Sequence, residues 1–150
     1  MPVRNERFRR VSGDYGSIAR PYLRVRYINP HTDKNLQAWA LIDTGADDCV
    51  LPASFAGLLG HNLIAGNQVN IGGVHGHDIA YQHTTIIEIP GFATEETLIS
   101  FIENLRTPLL GVRSFLSHFK LSIDYPNELF SLEFTEKKST AEYVDHWPTP

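Results

Sequence analysis

Short runs in which apolar and polar residues alternate recur along most of the chain. Residues 22–28 and 36–42 alternate in this way, and a polar loop that begins at Asn29-Pro30 separates them. Because side chains alternate between the two faces of a strand, the spacing predicts two half-buried strands joined as a hairpin. Alternating or short apolar runs predict further strands over residues 49–52, 67–71, 78–89, 95–102, 108–111, 121–125 and 129–134.

Only two short segments carry helical signals. Pro52 precedes one of them, residues 53–59, which Gly60 ends, and residues 112–119 place apolar side chains at helical spacing. The remaining connections are too short for parallel crossover units. The pattern therefore predicts an all-β fold, an antiparallel barrel or sandwich with one or two short helices.

The predicted elements divide the chain of 150 residues into three parts. Glycine and proline interrupt residues 1–19, which we expect to be a basic, weakly structured N-terminal arm. Residues 20–134 contain the strands and have the length of one domain. Residues 135–150 are polar, and we expect a loose C-terminal tail.

Composition and charge are those of an ordinary globular protein, with 42% hydrophobic and 20% charged residues. The net charge of −4 does not favour a polyanionic partner for the whole surface. Seven of the thirteen basic residues lie in the first 26, but they are not interleaved with glycine and aromatic residues. A solvated arm is the simpler interpretation, and no nucleic-acid partner is expected.

Two features bear on the location of the protein. No apolar run approaches the roughly 18 residues that cross a bilayer, and the basic first ten residues precede no apolar segment. The single cysteine, Cys49, excludes an intrachain disulfide. We therefore expect no membrane span and a cytoplasmic protein.

The segment most informative about chemistry is Ala40-Leu41-Ile42-Asp43-Thr44-Gly45-Ala46-Asp47-Asp48. An apolar strand here delivers a carboxylate directly into a Thr-Gly turn. An ionised acid beside apolar residues costs several kcal/mol unless it has partners. Gly45 permits close backbone approach and the Thr44 hydroxyl can donate and accept, so the turn can hold Asp43 rigidly.

Three landmarks, in order, resemble those of the retropepsin-like aspartic proteases. The first is the segment around Asp43, which resembles the active-site loop of the family. The second is Ile71-Gly72-Gly73-Val74-His75-Gly76, at the place of the glycine-rich flap, and the third is Leu109-Leu110-Gly111 before a short helix. The resemblance covers roughly residues 22–134 and implies a closed antiparallel β-barrel with a flap hairpin.

The resemblance also implies catalysis by a pair of aspartates that share one proton and activate a water molecule. This chain contains one Asp-Thr-Gly; its nearest imitation, Asp14-Tyr15-Gly16, has a bulky Tyr where the threonine hydroxyl should sit, and no apolar strand precedes it. The second carboxylate must then come from another chain. We therefore expect a homodimer with both copies of Asp43 at the two-fold axis, and no cofactor.

Other site residues are assigned through the same resemblance. Thr44 and Gly45 are expected to support the active site, although Thr44 could instead satisfy only its own turn. The expected substrate-binding residues are Ala46, Asp47, Asp48, Ile71, Gly72, Gly73, Val74 and Leu109. Asp48 is as readily a solvated loop charge. The arginine that pairs with Asp47 in the family has Arg113 as its candidate, one position later than usual.

Remaining candidates have simpler explanations. Cys49 is expected to pack as a small hydrophobe. His75 and His77 could tune flap closure in mild acid, but exposed hairpin histidines explain them as well. With His83 they suggest a metal site, yet apart from Asp78 neither a cysteine nor a paired acid is available to complete the ligands, and no metal is expected.

The function implied is an aspartic endopeptidase that cleaves extended peptides with apolar flanking side chains. The alternative is a catalytically weak dimerisation or peptide-binding module on the same fold, suggested by the shifted arginine and by His75 in place of a flap glycine.

Overall fold

The computed structural model describes residues 3–14, 16–73 and 76–135. Twelve strands, one α-helix and two 3-10 helices form the regular structure of this part. The first strands are β1 (Val3–Arg7), β2 (Arg9–Gly13), β3 (Gly16–Arg20), β4 (Tyr22–Ile28), β5 (Asn35–Ile42) and β6 (Val50–Pro52). Helix α1 (Ser54–Leu58) and a 3-10 helix (Leu63–Ala65) follow. The later strands are β7 (Asn67–Gly73), β8 (Gly76–Ile89), β9 (Ala93–Ile102), β10 (Leu109–Leu110), β11 (Phe119–Asp124) and β12 (Leu129–Phe134), with a 3-10 helix at Leu116–His118.

The main sheet has seven strands in the order β4-β5-β10-β6-β9-β8-β7, and β8 also pairs with β4. The all-β prediction is confirmed. The prediction of purely antiparallel pairing is wrong at two places, because β10 runs parallel to β5 and β6 runs parallel to β9. Both β6 and β10 are short strands that follow loops rather than hairpin turns, so neither is forced to run antiparallel to its neighbours.

The core lies against the inner face of this sheet. Leu23, Val25 and Tyr27 of β4 are fully buried, whereas the residues between them are half-buried or exposed. Burial alternates in the same way at the end of β5, where Ala40 and Ile42 are buried. The core therefore extends along β5 to the residue before Asp43.

The N-terminal arm is a correction to the sequence analysis. Residues predicted to be weakly structured form β1, which pairs with β12, and the β2–β3 hairpin. Phe8, between β1 and β2, packs edge-on against Tyr125 with ring centroids 5.3 Å apart. Backbone pairing and this aromatic anchor order an arm whose side chains are mostly polar. The division of the chain at residue 19 stays a prediction.

The predicted helix over residues 112–119 is the other correction. The N–H of Leu116 donates to the carbonyl of Gly111, and that of Ser117 to Val112, in each case five residues back. Phe115 has a φ of −139°, outside the helical region. The segment is therefore a wide turn that leads into a single turn of 3-10 helix, and it still buries Phe115 and Leu116.

The other expected elements are present in the described residues. The helix predicted over residues 53–59 is α1. Strands β7 and β8 form a hairpin with register partners from Asn67–Gln82 to Gly73–Gly76. Val74 and His75, the predicted flap tip, lie outside the described residues, as does the predicted tail beyond Thr135. In the three described ranges, the helices are all too short to cross a bilayer.

Candidate functional site

Asp43 stands at the end of β5, in a turn that fixes its carboxylate. Its backbone N–H donates to the carbonyl of Leu110 (3.1 Å), and its carbonyl accepts from the N–H of Ala46 (3.2 Å). Its Oδ1 atom accepts from the N–H of Gly45 (3.0 Å). A side chain that bonds the backbone two residues later is the usual way in which aspartate stabilises a tight turn. The half-buried carboxylate is thus held in one orientation beside the groove described below.

The segment that follows β10 holds this turn from the other side. The N–H of Val112 donates to the carbonyl of Ala46 (2.8 Å), and the N–H of Arg113 donates to that of Asp47 (2.7 Å). Ser114 Oγ accepts from the N–H of Cys49 (3.0 Å). These bonds require close approach, and a Cβ atom on Gly111 would overlap the backbone of Asp48. The glycine of the Leu109-Leu110-Gly111 motif is therefore a steric requirement of the site.

Arg113 makes a different ion pair from the one suggested by the resemblance. Its Nε and Nη2 atoms donate to the two carboxylate oxygens of Asp48, at 3.0 and 2.8 Å. The pKa of Arg113 is raised, first by this hydrogen bond and then by the charge of Asp48. The guanidinium is 73% exposed, so solvent screens the pair strongly. Asp47 meets the same arginine only through its backbone carbonyl and its more distant charge.

A groove of about 580 Å³ collects most of the predicted site residues. Those that line it are Asp43, Gly45, Ala46, Asp47, Asp48, Ile71, Gly72 and Leu109. Val74 lies outside the described part of the chain. The β7–β8 hairpin and the Asp43 turn thus border the same space, whose volume is in the usual range of ligand-binding clefts.

Seven further residues line the groove that the sequence analysis did not assign. They are Val50, Val69, Asn70, Gln82, Ser100, Ile102 and Leu105. Val50 and Ile102 belong to a small apolar cluster with Ala80, against which Val69, Ile71, Leu105 and Leu109 pack. Strand alternation predicts which residues share a face, but only the pairing of β6 with β9 shows that Val50 and Ser100 are neighbours.

Thr44 lies on a different side of the turn. It lines a separate cavity of about 320 Å³ together with Asp43, the β2–β3 hairpin residues Ile18 and Ala19, and Tyr125. Ile18 is 48% exposed there. Thr44 and the exposed Ile18 therefore face a space that is separate from the groove.

Cys49 behaves as the small hydrophobe that was expected. It is 1% exposed, and burial raises the pKa of its thiol. Its Sγ atom accepts a hydrogen bond from the N–H of Gly111 at 3.4 Å. The residue therefore contributes packing behind the site turn.

His61 and His83 make hydrogen bonds and a stacking contact that hold neighbouring elements together. Asn29 Nδ2 lies 3.3 Å from His61 Nδ1, which must accept, so His61 Nε2 donates to Thr85 Oγ1 (3.2 Å). His83 stacks on His61 with ring centroids 4.5 Å apart and bonds the carbonyl of Leu63 (3.0 Å). Burial and the neighbouring His83 lower the pKa of His61. This network ties the base of the β7–β8 hairpin to the core.

The arrangement of the described residues does not support the metal site considered for His75, His77 and His83. His77 is exposed on β8, and His75 lies outside the described residues. In residues 3–14, 16–73 and 76–135, no three histidine, cysteine or acidic side chains are grouped as metal ligands.

Comparisons with known proteins bear on the fold. No family model matches the sequence, and no curated protein does. Among solved structures, the chain is similar to a retropepsin-like aspartic protease from Rickettsia conorii, with 22% identity and a TM-score of 0.59 over 88% of this chain and 99% of that one. It also matches EIAV protease in complex with the inhibitor HBY-793, with 26% identity and a TM-score of 0.46 over 61% of this chain and 81% of that one.

Proposed function

We propose that this chain, which has the fold of the retropepsin-like aspartic proteases, is an aspartic endopeptidase that acts as a homodimer. The observation that carries the proposal is the position of Asp43. Its carboxylate is oriented by Gly45, lies in a turn held by the segment after Gly111, and borders a groove of about 580 Å³. A rigid, partly buried carboxylate beside such a groove is suited to acid-base chemistry on a bound peptide.

The dimer follows from what one chain lacks. Peptide hydrolysis by this chemistry needs two carboxylates, one to take a proton from water and one to protonate the scissile carbonyl. Two other acids line the groove: Asp48 is paired with Arg113, and Asp47 is exposed. In the described structure, neither is hydrogen-bonded to the carboxylate of Asp43, whose partner is the N–H of Gly45. A second copy supplies the missing group when its Asp43 approaches across a two-fold axis.

In the proposed mechanism, the two Asp43 carboxylates share one proton because two ionised acids at about 3 Å repel strongly. The ionised member takes a proton from a water molecule as that water attacks the peptide carbonyl carbon. The protonated member gives its proton to the carbonyl oxygen, forming a neutral tetrahedral diol. Breakdown of the diol, with proton transfer to the amide nitrogen, releases the two products.

The proposed substrate is an extended peptide held between the Asp43 turn and the β7–β8 hairpin. Backbone groups of the hairpin edge can pair with such a peptide as an added strand. Gly72 and Ile71 line the groove at this edge, and Gly45 and Ala46 line the opposite side. We propose substrate contact for these residues, for Asp47, Asp48 and Leu109, and for Gly73 and Val74 at the tip.

Cleavage of a peptide library, read by mass spectrometry between pH 4 and 7, tests the proposal. The parent should cut, and Asp43→Asn should lower the rate by about 10²–10⁴-fold, the range for loss of a general acid-base group. Asp33→Asn, in the exposed loop between β4 and β5 and outside the groove, serves as the matched control and should cut at the parent rate. Activity per chain should fall on dilution as the dimer dissociates.

A second candidate remains, a peptide-binding or dimerisation module with little turnover. The pairing of Arg113 with Asp48 rather than Asp47 favours it, because the family's ion pair is absent. Parent protein that binds peptides and dimerises without cutting them would support this module. Cleavage by Asp43→Asn at the parent rate would contradict the endopeptidase.

A further inference from the structure

The floor of the groove carries a row of side chains that crosses several strands. Asn67 on β7 pairs with Gln82 on β8, Gln82 pairs with Ser100 on β9, and Ser100 pairs with Val50 on β6. Register partners point to the same face of a sheet, so these side chains are neighbours. Gln82, Ser100 and Val50 all line the groove. The row is polar at one end and apolar at the other.

Hydrogen bonds within the row leave two donors without acceptors. Gln82 Oε1 accepts from Asn67 Nδ2 at 3.1 Å, which orients the amide so that Nε2 faces Ser100. That Nε2 lies 3.5 Å from Ser100 Oγ and donates to it. In the described part of the chain, neither the second Nε2 hydrogen nor the Ser100 hydroxyl hydrogen has an acceptor. Ser100 is only 2% exposed, so water reaches its hydroxyl poorly.

The surroundings limit what can fill this position. Val50 and Ile102 flank the two donors, and Asp43, Asp47 and Asp48 line the same groove. A ligand atom must therefore be a hydrogen-bond acceptor on a partly apolar side chain. Arg113 also lines the groove and is paired with Asp48, so the negative charges left without a cation partner are those of Asp43 and Asp47, and their repulsion disfavours a carboxylate. A neutral carboxamide oxygen meets both conditions.

We propose that Gln82 and Ser100 form a subsite that selects a glutamine or asparagine side chain of the peptide substrate. This inference rests on the proposed peptidase function, and it departs from the expectation that all flanking positions prefer apolar residues. A purely apolar side chain in this position leaves unpaired the hydroxyl hydrogen of the buried Ser100 and an amide hydrogen of the half-buried Gln82, which is the arrangement by which binding sites reject analogues.

The test uses four peptides that differ at one position, Gln, Glu, Met or Leu, placed in turn at each position around the scissile bond. Each peptide is made in a cleavable form and in a form whose scissile amide is replaced by an uncleavable hydroxyethylene group. Cleavage rates and dissociation constants are measured for the parent, Ser100→Ala and Gln82→Met. Ser122→Ala, on β11 and outside the groove, is the matched control.

At two positions placed symmetrically about the scissile bond, one for each subunit's row, Gln should be cut and bound about tenfold better than Met and Glu, as expected from one or two well-made hydrogen bonds. Ser100→Ala and Gln82→Met should reduce the ratio of Gln to Met to about one, and Ser122→Ala should keep it. Urea unfolding checks that each variant is folded. Because Gln82→Met keeps side-chain length, it tests the subsite even if Ser100→Ala is destabilised.

Met or Leu preferred at every position by the parent would overturn the subsite, as would a Gln preference that survives both variants. Binding without cleavage would refute the peptidase alone, and the Gln to Met ratio of dissociation constants would still decide the subsite. A parent that neither binds nor cuts any of the peptides would overturn both.

Discussion

Replacing Gly111 with alanine puts a methyl group where the backbone of Asp48 already lies. The added carbon would be 2.8 Å from the Asp48 nitrogen and closer still to its carbonyl group. A backbone neighbour cannot swing aside as the end of a flexible side chain can. Either the segment after β10 or the loop before β6 must therefore move.

The cost can be bounded from this geometry. Overpacking a close-packed region costs about 1–3 kcal/mol, since backbone shifts are needed to relieve the contact. For a chain of this length, each kcal/mol lowers Tm by about 2–4 °C, so we expect a loss of about 2–12 °C. The hydrogen bonds from Val112 and Arg113 to Ala46 and Asp47 shift with the backbone, so the Asp43 turn is displaced as well.

Thermal and urea unfolding measure the stability, and peptide cleavage at a temperature where the variant is fully folded measures the site. Gly57→Ala is the matched control, because Gly57 lies in α1 and a Cβ atom there meets nothing within 4 Å. That substitution should stabilise the protein by about 0.5–1 kcal/mol. If Gly111→Ala unfolds at the parent temperature or above it, the steric explanation of the Leu109-Leu110-Gly111 motif is wrong.

Three other residues give further tests. The pKa of His61 is lowered in the folded protein, so as the pH falls past about 6.5 the unfolded chain takes up a proton before the folded His61 does. Stability in urea should therefore fall as the pH drops below about 6.5. His61→Gln should flatten that slope. Ile18→Asp should weaken the dimer in sedimentation experiments if a second copy approaches Asp43 on the Thr44 side; an unchanged dissociation constant would argue against that approach. Iodoacetamide should label Cys49 far more slowly in the folded protein than in urea, and equal rates would contradict its burial.

The strands that were predicted well are those with one face in the core. Strand β4 has the predicted bounds, because its apolar residues alternate without interruption. The prediction for the N-terminal arm was wrong because β1 to β3 bury little, so their sequences show little alternation. Their order comes from pairing with β12 and from the packing of Phe8. Alternation of apolar and polar residues indicates a strand with one buried face. A strand held mainly by backbone hydrogen bonds does not need this alternation, so the sequence pattern does not predict it.

The site divides along similar lines. An apolar strand that leads an acid into a Thr-Gly turn makes Asp43 and Gly45 stand out in the sequence, whereas Gly111 belongs to a motif that only the resemblance supplies, and its steric role comes from the structure. The pairing of Arg113 with Asp48 could not, because it depends on a wide turn in place of the expected helix. The Gln82–Ser100 row also escaped prediction, since strand register across β7, β8 and β9 depends on tertiary packing.

The two proposals, taken together, constrain each other. In a symmetric dimer, each residue of the groove occurs twice, at equal distances on the two sides of the axis through the Asp43 pair. A peptide that lies across the axis therefore meets two Gln82–Ser100 rows. Carboxamide side chains should then be favoured at two positions spaced symmetrically about the cleaved bond, although the peptide itself has no symmetry. A groove within one chain offers only one such row, so enrichment at a single position would favour a peptide bound by one subunit and would count against the shared active site.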